Sequence, residues 1–215
     1  MSAAFDPKTW VENHVLRIAQ SSFQIVSDTG LVIAIDPFSP SPKWSQADMV
    51  LVTHNHPDHF NPEVVRSLLK EGTRVVVPAS VRASGGDRGL ATDGLVPGET
   101  KVVGEFTLGA VRAYNLRLPV HQRSKDWLGY LFAVDGLTLY YAGDTDLIPE
   151  ISQLRADVVF LPAGGLFTMN AKKAAEAARI LGAKVAVPMH YGMLPLTGKA
   201  GRQFAAFRDG ITVLL

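Results

Sequence analysis

The sequence predicts an α/β (α+β) fold with two β-sheets in the core and helices outside, and three observations lead there. Apolar runs of strand length, rich in β-branched residues, recur along the chain. Some are joined by hairpin turns and others are separated by helical segments, which argues for two mixed sheets. With 215 residues, 47% of them hydrophobic and 19% charged, the chain can build one substantial core, and residues 1–215 are read as a single domain.

The elements follow in order. "HVLRIA", "FQIVSD" and "LVIAID" read as short strands, with His14 at a strand edge and "DTG" at 28–30 as a hairpin turn. "DMVLVT" is a continuous apolar run, as expected of a strand buried on both faces. "NPEVVRSLLKEG" carries a helix signature, with Asn61 as N-cap, Pro62 at the first position and Gly72 as the stop. "RVVVP", "TKVVGEFTLGAVRAYN", "LGYLFAV" and "LTLYYAGD" continue as strands, the last two joined by "DG" at 135 and 136. "ADVVFLPAGG" is a strand, "NAKKAAEAARILGA" a helix capped by Asn170 and ending at Gly182, and "KVAVPMH" a further strand.

Composition narrows the function classes. A net charge of +1 gives no basic excess of the kind that marks a nucleic-acid surface, so a nucleic-acid partner is not expected. No apolar run approaches the roughly 20 residues that span a bilayer, and "MSAAFDPKTW" lacks a basic end followed by an apolar stretch. With no cysteine, thiolate-held metals and disulfides are excluded, and a reducing, cytoplasmic setting is expected. Any metal must be held by nitrogen and oxygen.

"THNHPDHF" at 53–60 concentrates three of the six histidines and an aspartate directly after a buried strand. Imidazoles and a carboxylate crowded together need a compensating partner, and a metal ion supplies one. Residues two apart in extended backbone point the same way, so His54 and His56 can reach one ion. Past the bend at Pro57, Asp58 and His59 can address a second ion, at the roughly 3.5–4 Å separation of dinuclear hydrolytic sites. Asp144 and His190 also follow apolar strands: Asp144 can bridge two ions and His190 can complete the second shell. His121, in a polar segment before "LGYLF", is the candidate third ligand of the first ion.

The motifs "THNHPDH", "AGDTD" and "PMHY", in this order, resemble the metallo-β-lactamase superfamily. "SSFQI", "HQRSKDWLGYLF", "LYYAGDTDLIPE" and "LPAGGLFTM" are similar to its small metal-dependent hydrolases of the L-ascorbate-6-phosphate lactonase kind. The resemblance implies a four-layer αββα sandwich with two divalent metal ions, zinc or sometimes manganese, at one edge. It places His54, His56 and His121 on the first ion, Asp58, His59 and His190 on the second, and Asp144 between them. One departure stands out: where the subgroup has a "GHSSF"-like sequence this chain has "AQSSF", with Gln20 in the histidine's place. An amide donates hydrogen bonds but carries no proton at neutral pH.

The expected activity is metal-dependent hydrolysis by a metal-bound hydroxide, with Asp58 or Asp144 orienting the water, on a small-molecule lactone, ester or phosphoester. A phosphodiesterase or nuclease and a non-catalytic metal-binding module are the alternatives. Asp36 either accepts an N–H from a ligand imidazole or forms a turn before Pro37. Phe167, Met169, Tyr191, Trp127 and Tyr130 serve as pocket walls or as core, whereas Trp10 and Trp44 are read as packing.

Overall fold

The computed structural model describes residues 5–193, 196–208 and 210–215, in which the apolar runs become twelve strands in two six-stranded sheets. The first sheet is built in chain order from β1 (Val15–Ala19), β2 (Ser22–Val26), β3 (Val32–Ile35), β4 (Ala47–Leu51), β5 (Leu69–Pro78) and β6 (Asp93–Leu95). β1, β2 and β3 pair antiparallel, and β3 to β6 pair parallel. The second sheet contains β7 (Thr100–Val103), β8 (Phe106–Arg112), β9 (Leu128–Val134), β10 (Leu137–Tyr141), β11 (Val158–Pro162) and β12 (Val185–Met189). Here β7 to β10 pair antiparallel, and β10, β11 and β12 pair parallel.

Side chains alternate across each strand, and the burial follows that period of two. Ile33, Ile35, Met49 and Leu51 enter the core between the sheets, where they share one cluster with Tyr130, Phe132, Leu139 and Phe160. Ala34, Val50, Val52, Val75 and Val77 face the other way, against helix α2 (Pro62–Leu68) and α3 (Ala79–Ala83). Both faces of β4 are therefore buried, as its unbroken apolar run requires. Each such side chain contributes about 1.5–3 kcal/mol, so a one-residue slip of β4 is heavily opposed. On the second sheet, α4 (Ala171–Ile180) packs on β11 and α5 (Ala200–Phe207) on β12. The result is an α/β sandwich, helices outside and two sheets inside. Among the described residues no helix is long and apolar enough to cross a membrane.

Three local expectations are met by turn chemistry. The "DTG" hairpin closes through Ser27 N–H to Leu31 O at 2.9 Å, with Gly30 at φ 85°. Asp135 (φ 49°) and Gly136 (φ 77°) both adopt the positive values that a tight β9–β10 turn demands. Asn170 caps α4 by accepting from Lys173 N–H at 3.0 Å.

Other expectations need correction. His14 is not on a strand edge: it ends helix α1 (Pro7–His14), which Asp6 caps by accepting from Lys8 and Thr9 N–H. Gly72 does not stop α2. The helix ends at Leu68 because Leu69 is extended and pairs with Ala47, and Thr73 Oγ1 accepts from Lys70 N–H while donating to Ala47 O. Helices α1, α3 and α5 and the short strand β6 were not foreseen.

Where β9 crosses β10, a side chain would not fit. A Cβ on Gly129 would lie 2.7 Å from Tyr141 O and 2.8 Å from Ala142 O, both backbone atoms that cannot swing away. Gly129→Ala is expected to cost about 1–3 kcal/mol or more through overpacking, read as a lower urea midpoint at unchanged slope. An unchanged midpoint would show that the strands can separate freely at this point.

Candidate metal centre

Four of the strands end at one edge of the sandwich and aim the polar side chains there. Asp36 follows β3, Thr53 to His59 follow β4, Asp144 follows β10 and His190 follows β12. This is the carboxyl end of the parallel strands, the usual site location in open α/β sheets. The structure brings all seven sequence-predicted residues together. His54, His56 and His121 form one group whose potential ligand atoms lie within 4.8 Å of one another; Asp58, His59 and His190 form another; and His54, His59 and Asp144 form a third that overlaps both. His121 joins although its segment offered the weakest motif.

The hydrogen bonds decide which ring nitrogen faces the centre. His59 Nδ1 lies 2.7 Å from Asp36 Oδ2, and His121 Nδ1 lies 2.9 Å from Asn115 Oδ1, so each donates N–H outward. Thr53 Oγ1 donates to Asp36 Oδ2 at 2.8 Å and accepts from His54 Nδ1, 3.0 Å away. The Nε2 atoms of His54, His59 and His121 are left buried without a hydrogen-bond partner, as is Asp144 Oδ1. Buried orphans of this kind are costly. Lone pairs on neutral imidazole and carboxylate, fixed by outer hydrogen bonds, are what a divalent ion requires. The residues therefore fit a metal.

Asp144 faces both halves of the cluster. Its Oδ1 is 3.2 Å from His59 Nε2, and its Oδ2 is 3.3 Å from His121 Nε2 and 3.0 Å from His190 Nε2. Asp58, 40% exposed, stands at the open side with its Oδ2 3.6 Å from His190 Nε2. The Gln20 side-chain amide donates to this same oxygen at 3.3 Å, while the Gln20 backbone carbonyl accepts from His190 N–H and from Arg17. The amide thus supports Asp58 by hydrogen bonding without a transferable proton.

Charge follows from the geometry. Burial pushes His54 well below its ordinary value, and neighbouring His59 acts in the same direction; burial and His121 lower His56. Burial opposes the charge of Asp144, yet His190 and His59 hold it well below the carboxylate range. Burial likewise opposes charge on Asp58, but the neighbouring His190 and His59 imidazoles bring it down to about 2. His190 is raised to about 9 against its burial, chiefly by Asp144. His59 is raised well above the ordinary range against its burial, by Asp144 and then Asp36. The carboxylates demand positive charge, which protons on His59 and His190 or divalent ions can supply.

Trp127 forms a wall, its ring 4.7–4.8 Å from those of His56 and His54. Tyr130 and Met169 are core residues, Phe167 is exposed at the rim, and Tyr191 stacks under Arg17 at 4.1 Å. Trp10 packs in the main core and Trp44 against the smaller one. Asp36 takes the supporting role rather than that of a simple turn residue. Thr53 and Asn115 were not anticipated: Thr53 stood in the motif, whereas nothing in the sequence ties Asn115 to His121.

With the geometry in place, comparison with known proteins defines the class. The family described as a beta-lactamase superfamily domain matches residues 15–190. A UPF0173 metal-dependent hydrolase of Thermococcus kodakarensis is 31% identical over 186 residues, 80% of this chain and 82% of the relative. A crystal structure from Parabacteroides distasonis superposes with a TM-score of 0.77 at 27% identity, covering 93% of this chain and 91% of that one. Igni18, a metallo hydrolase from Ignicoccus hospitalis, shares the fold at 24% identity with a TM-score of 0.76, covering 94% and 93%. The chain belongs to the metallo-β-lactamase superfamily and, within it, to the UPF0173 metal-dependent hydrolases.

Two outcomes follow. Asp36→Asn keeps the left-handed backbone at φ 47° but weakens the grip on His59; metal affinity is expected to fall about 10–100-fold in competition against a chelator, and full affinity would end the orienting role. Because His190 is protonated below about 9 and a metal needs its lone pair, metal binding must release protons. Apparent affinity should therefore rise with pH until about 9 and level off above it. Calorimetry in buffers of different ionisation enthalpy reads the proton count directly, and zero release would contradict this charge assignment.

Proposed function

We propose that this protein holds two divalent metal ions, zinc or manganese, and hydrolyses a small-molecule lactone, ester or phosphoester. The observation that carries the reading is the set of buried Nε2 atoms without hydrogen bonds that converge on Asp144, whose carboxylate reaches histidines of both halves of the cluster. His54, His56 and His121 would hold one ion, and Asp58, His59 and His190 the other. Asp144 would be shared. When bound, such ions lower the pKa of a coordinated water to about 7 and polarise a carbonyl or phosphoryl oxygen.

The chain's own groups do the positioning. Asp36, directly and through Thr53, keeps the Nδ1 protons of His59 and His54 turned away from the centre, and Asn115 does so for His121. Asp58 is the carboxylate open to solvent, and we assign it to orient the attacking water. Trp127 shields the His54 and His56 side from solvent. No serine or cysteine nucleophile is required.

Size supports a small substrate. A cleft of about 680 Å³ is lined by Leu116, Arg117, Leu118, Asp146, Thr168 and Lys173, of which Leu116 and Asp146 lie close to Asn115 and Asp144 in the chain, but its lining includes none of the seven candidate ligands. That volume is within the roughly 300–1,000 Å³ of small-molecule pockets. The resemblance of the sequence motifs to small hydrolases of the L-ascorbate-6-phosphate lactonase kind makes sugar lactones and their phosphates the first compounds to try.

The test combines metal analysis with a screen of lactones, esters and phosphodiesters on metal-loaded and chelated protein. Activity should disappear with chelation and return with zinc or manganese. His56→Ala, which removes a half-buried rather than a core side chain, should lose activity by more than about 100-fold, beyond the loss expected of a merely supporting residue. Full turnover in that variant with an emptied site would sink the metal-assisted reading, and turnover confined to oligonucleotides would replace the small substrate with a nucleic acid.

A further inference from the structure

At the opposite end of the sandwich a second group of potential ligands is assembled from three separate elements. β2 runs away from the metal centre, so Asp28, in the β2–β3 turn, lies beyond its far end. β10 runs toward the centre, which puts Asp135, in the β9–β10 turn, at the far end of the other sheet. His14 closes helix α1 beside them. One atom from each of His14, Asp28 and Asp135 lies within 4.8 Å of the other two.

The chemistry is that of a cation site rather than of an incidental ion pair. His14 Nδ1 is 2.7 Å from Val26 O and donates its N–H there, which leaves the Nε2 lone pair directed at the carboxylates. The imidazole is held in place by stacking on Trp10, at 5.1 Å and 10°. Asp135 is oriented by Trp10 Nε1–H at 3.0 Å and by Asp28 N–H at 2.9 Å. Tetrahedral zinc with bonds of about 2.0–2.1 Å sets its ligand atoms roughly 3.4 Å apart. His14 Nε2 and Asp28 Oδ1 are 3.4 Å apart. Among the described residues no lysine or arginine pairs with Asp28 or Asp135, so the His14 imidazole is the one side chain beside the two carboxylates that can carry positive charge.

We propose that His14, Asp28 and Asp135 form a divalent-cation site, suited to zinc, that joins the two sheets at the end away from the hydrolase centre. Three nitrogen and oxygen ligands with water in the remaining position satisfy zinc. The gain is mechanical: the ion would join α1, a turn of the first sheet and a turn of the second, none of which lies near another in sequence.

The experiment compares wild-type protein with Asp28→Asn and His14→Ala, each dialysed against zinc chloride and freed of loosely held ion before elemental analysis. The proposal expects one fewer equivalent of zinc in both variants, whatever the number held at the hydrolase centre, so it stands or falls separately from the two-ion reading. Hydrolase activity in Asp28→Asn should match wild type, and zinc should raise the thermal midpoint more in wild type than in the variant. Asp135→Asn, which tolerates the left-handed turn and keeps an acceptor for Trp10, provides a third variant if His14→Ala folds poorly. Equal zinc equivalents in wild type, Asp28→Asn and Asp135→Asn would overturn the proposal.

Discussion

A buried carboxylate that no described lysine or arginine pairs with governs the architecture of this edge. Asp36 is fully buried at the end of β3, where a lone charge would cost several kcal/mol. It is met by Thr53 N–H on one oxygen and by Thr53 Oγ1–H and His59 Nδ1–H on the other. Tyr141 of the second sheet brings its hydroxyl to 3.1 Å and also bonds to Ser21 O. One side chain thus links β3, the loop after β4 and the end of β10. Satisfying its charge and orienting two histidines are the same set of contacts.

Rigidity then passes outward from the strands. His54, Asp144 and His190 leave β4, β10 and β12 within three positions of the strand ends, so their backbones inherit the order of the sheets. His190 takes a left-handed backbone, φ 55°, which bends the chain back so that its ring reaches Asp144. Gly164 is the companion to this bend, since a Cβ there would meet His190 O at 2.2 Å. Strain at the one position is thus accommodated by absence of a side chain at the other.

Much of this was legible in the sequence because it is encoded locally. The histidine cluster declares itself by spacing, β4 by an unbroken apolar run, the β9–β10 turn by Asp-Gly and α4 by its cap and composition. What escaped depends on contacts distant in sequence or on competing local signals. Asp6-Pro7 is a sound helix start, but the β-branched run that follows drew His14 into a strand. Gly72 looked like a helix stop, yet Thr73 and the pairing with Ala47 end the helix earlier. Asn115 orients His121 across a loop whose shape no local pattern encodes.

The rim differs in kind from the centre it surrounds. Leu116, Leu118, Leu166, Phe167 and Met193 are exposed and lie in loops, whereas His54, His59, His121, Asp144 and His190 are almost fully buried. Replacing a rim residue disturbs neither sheet register nor ligand orientation, while replacing an inner one disturbs both. Mutation can therefore explore the outer ring at little thermodynamic risk. On such a scaffold, preference for one compound over another can drift within a lineage while the inner constellation stays fixed.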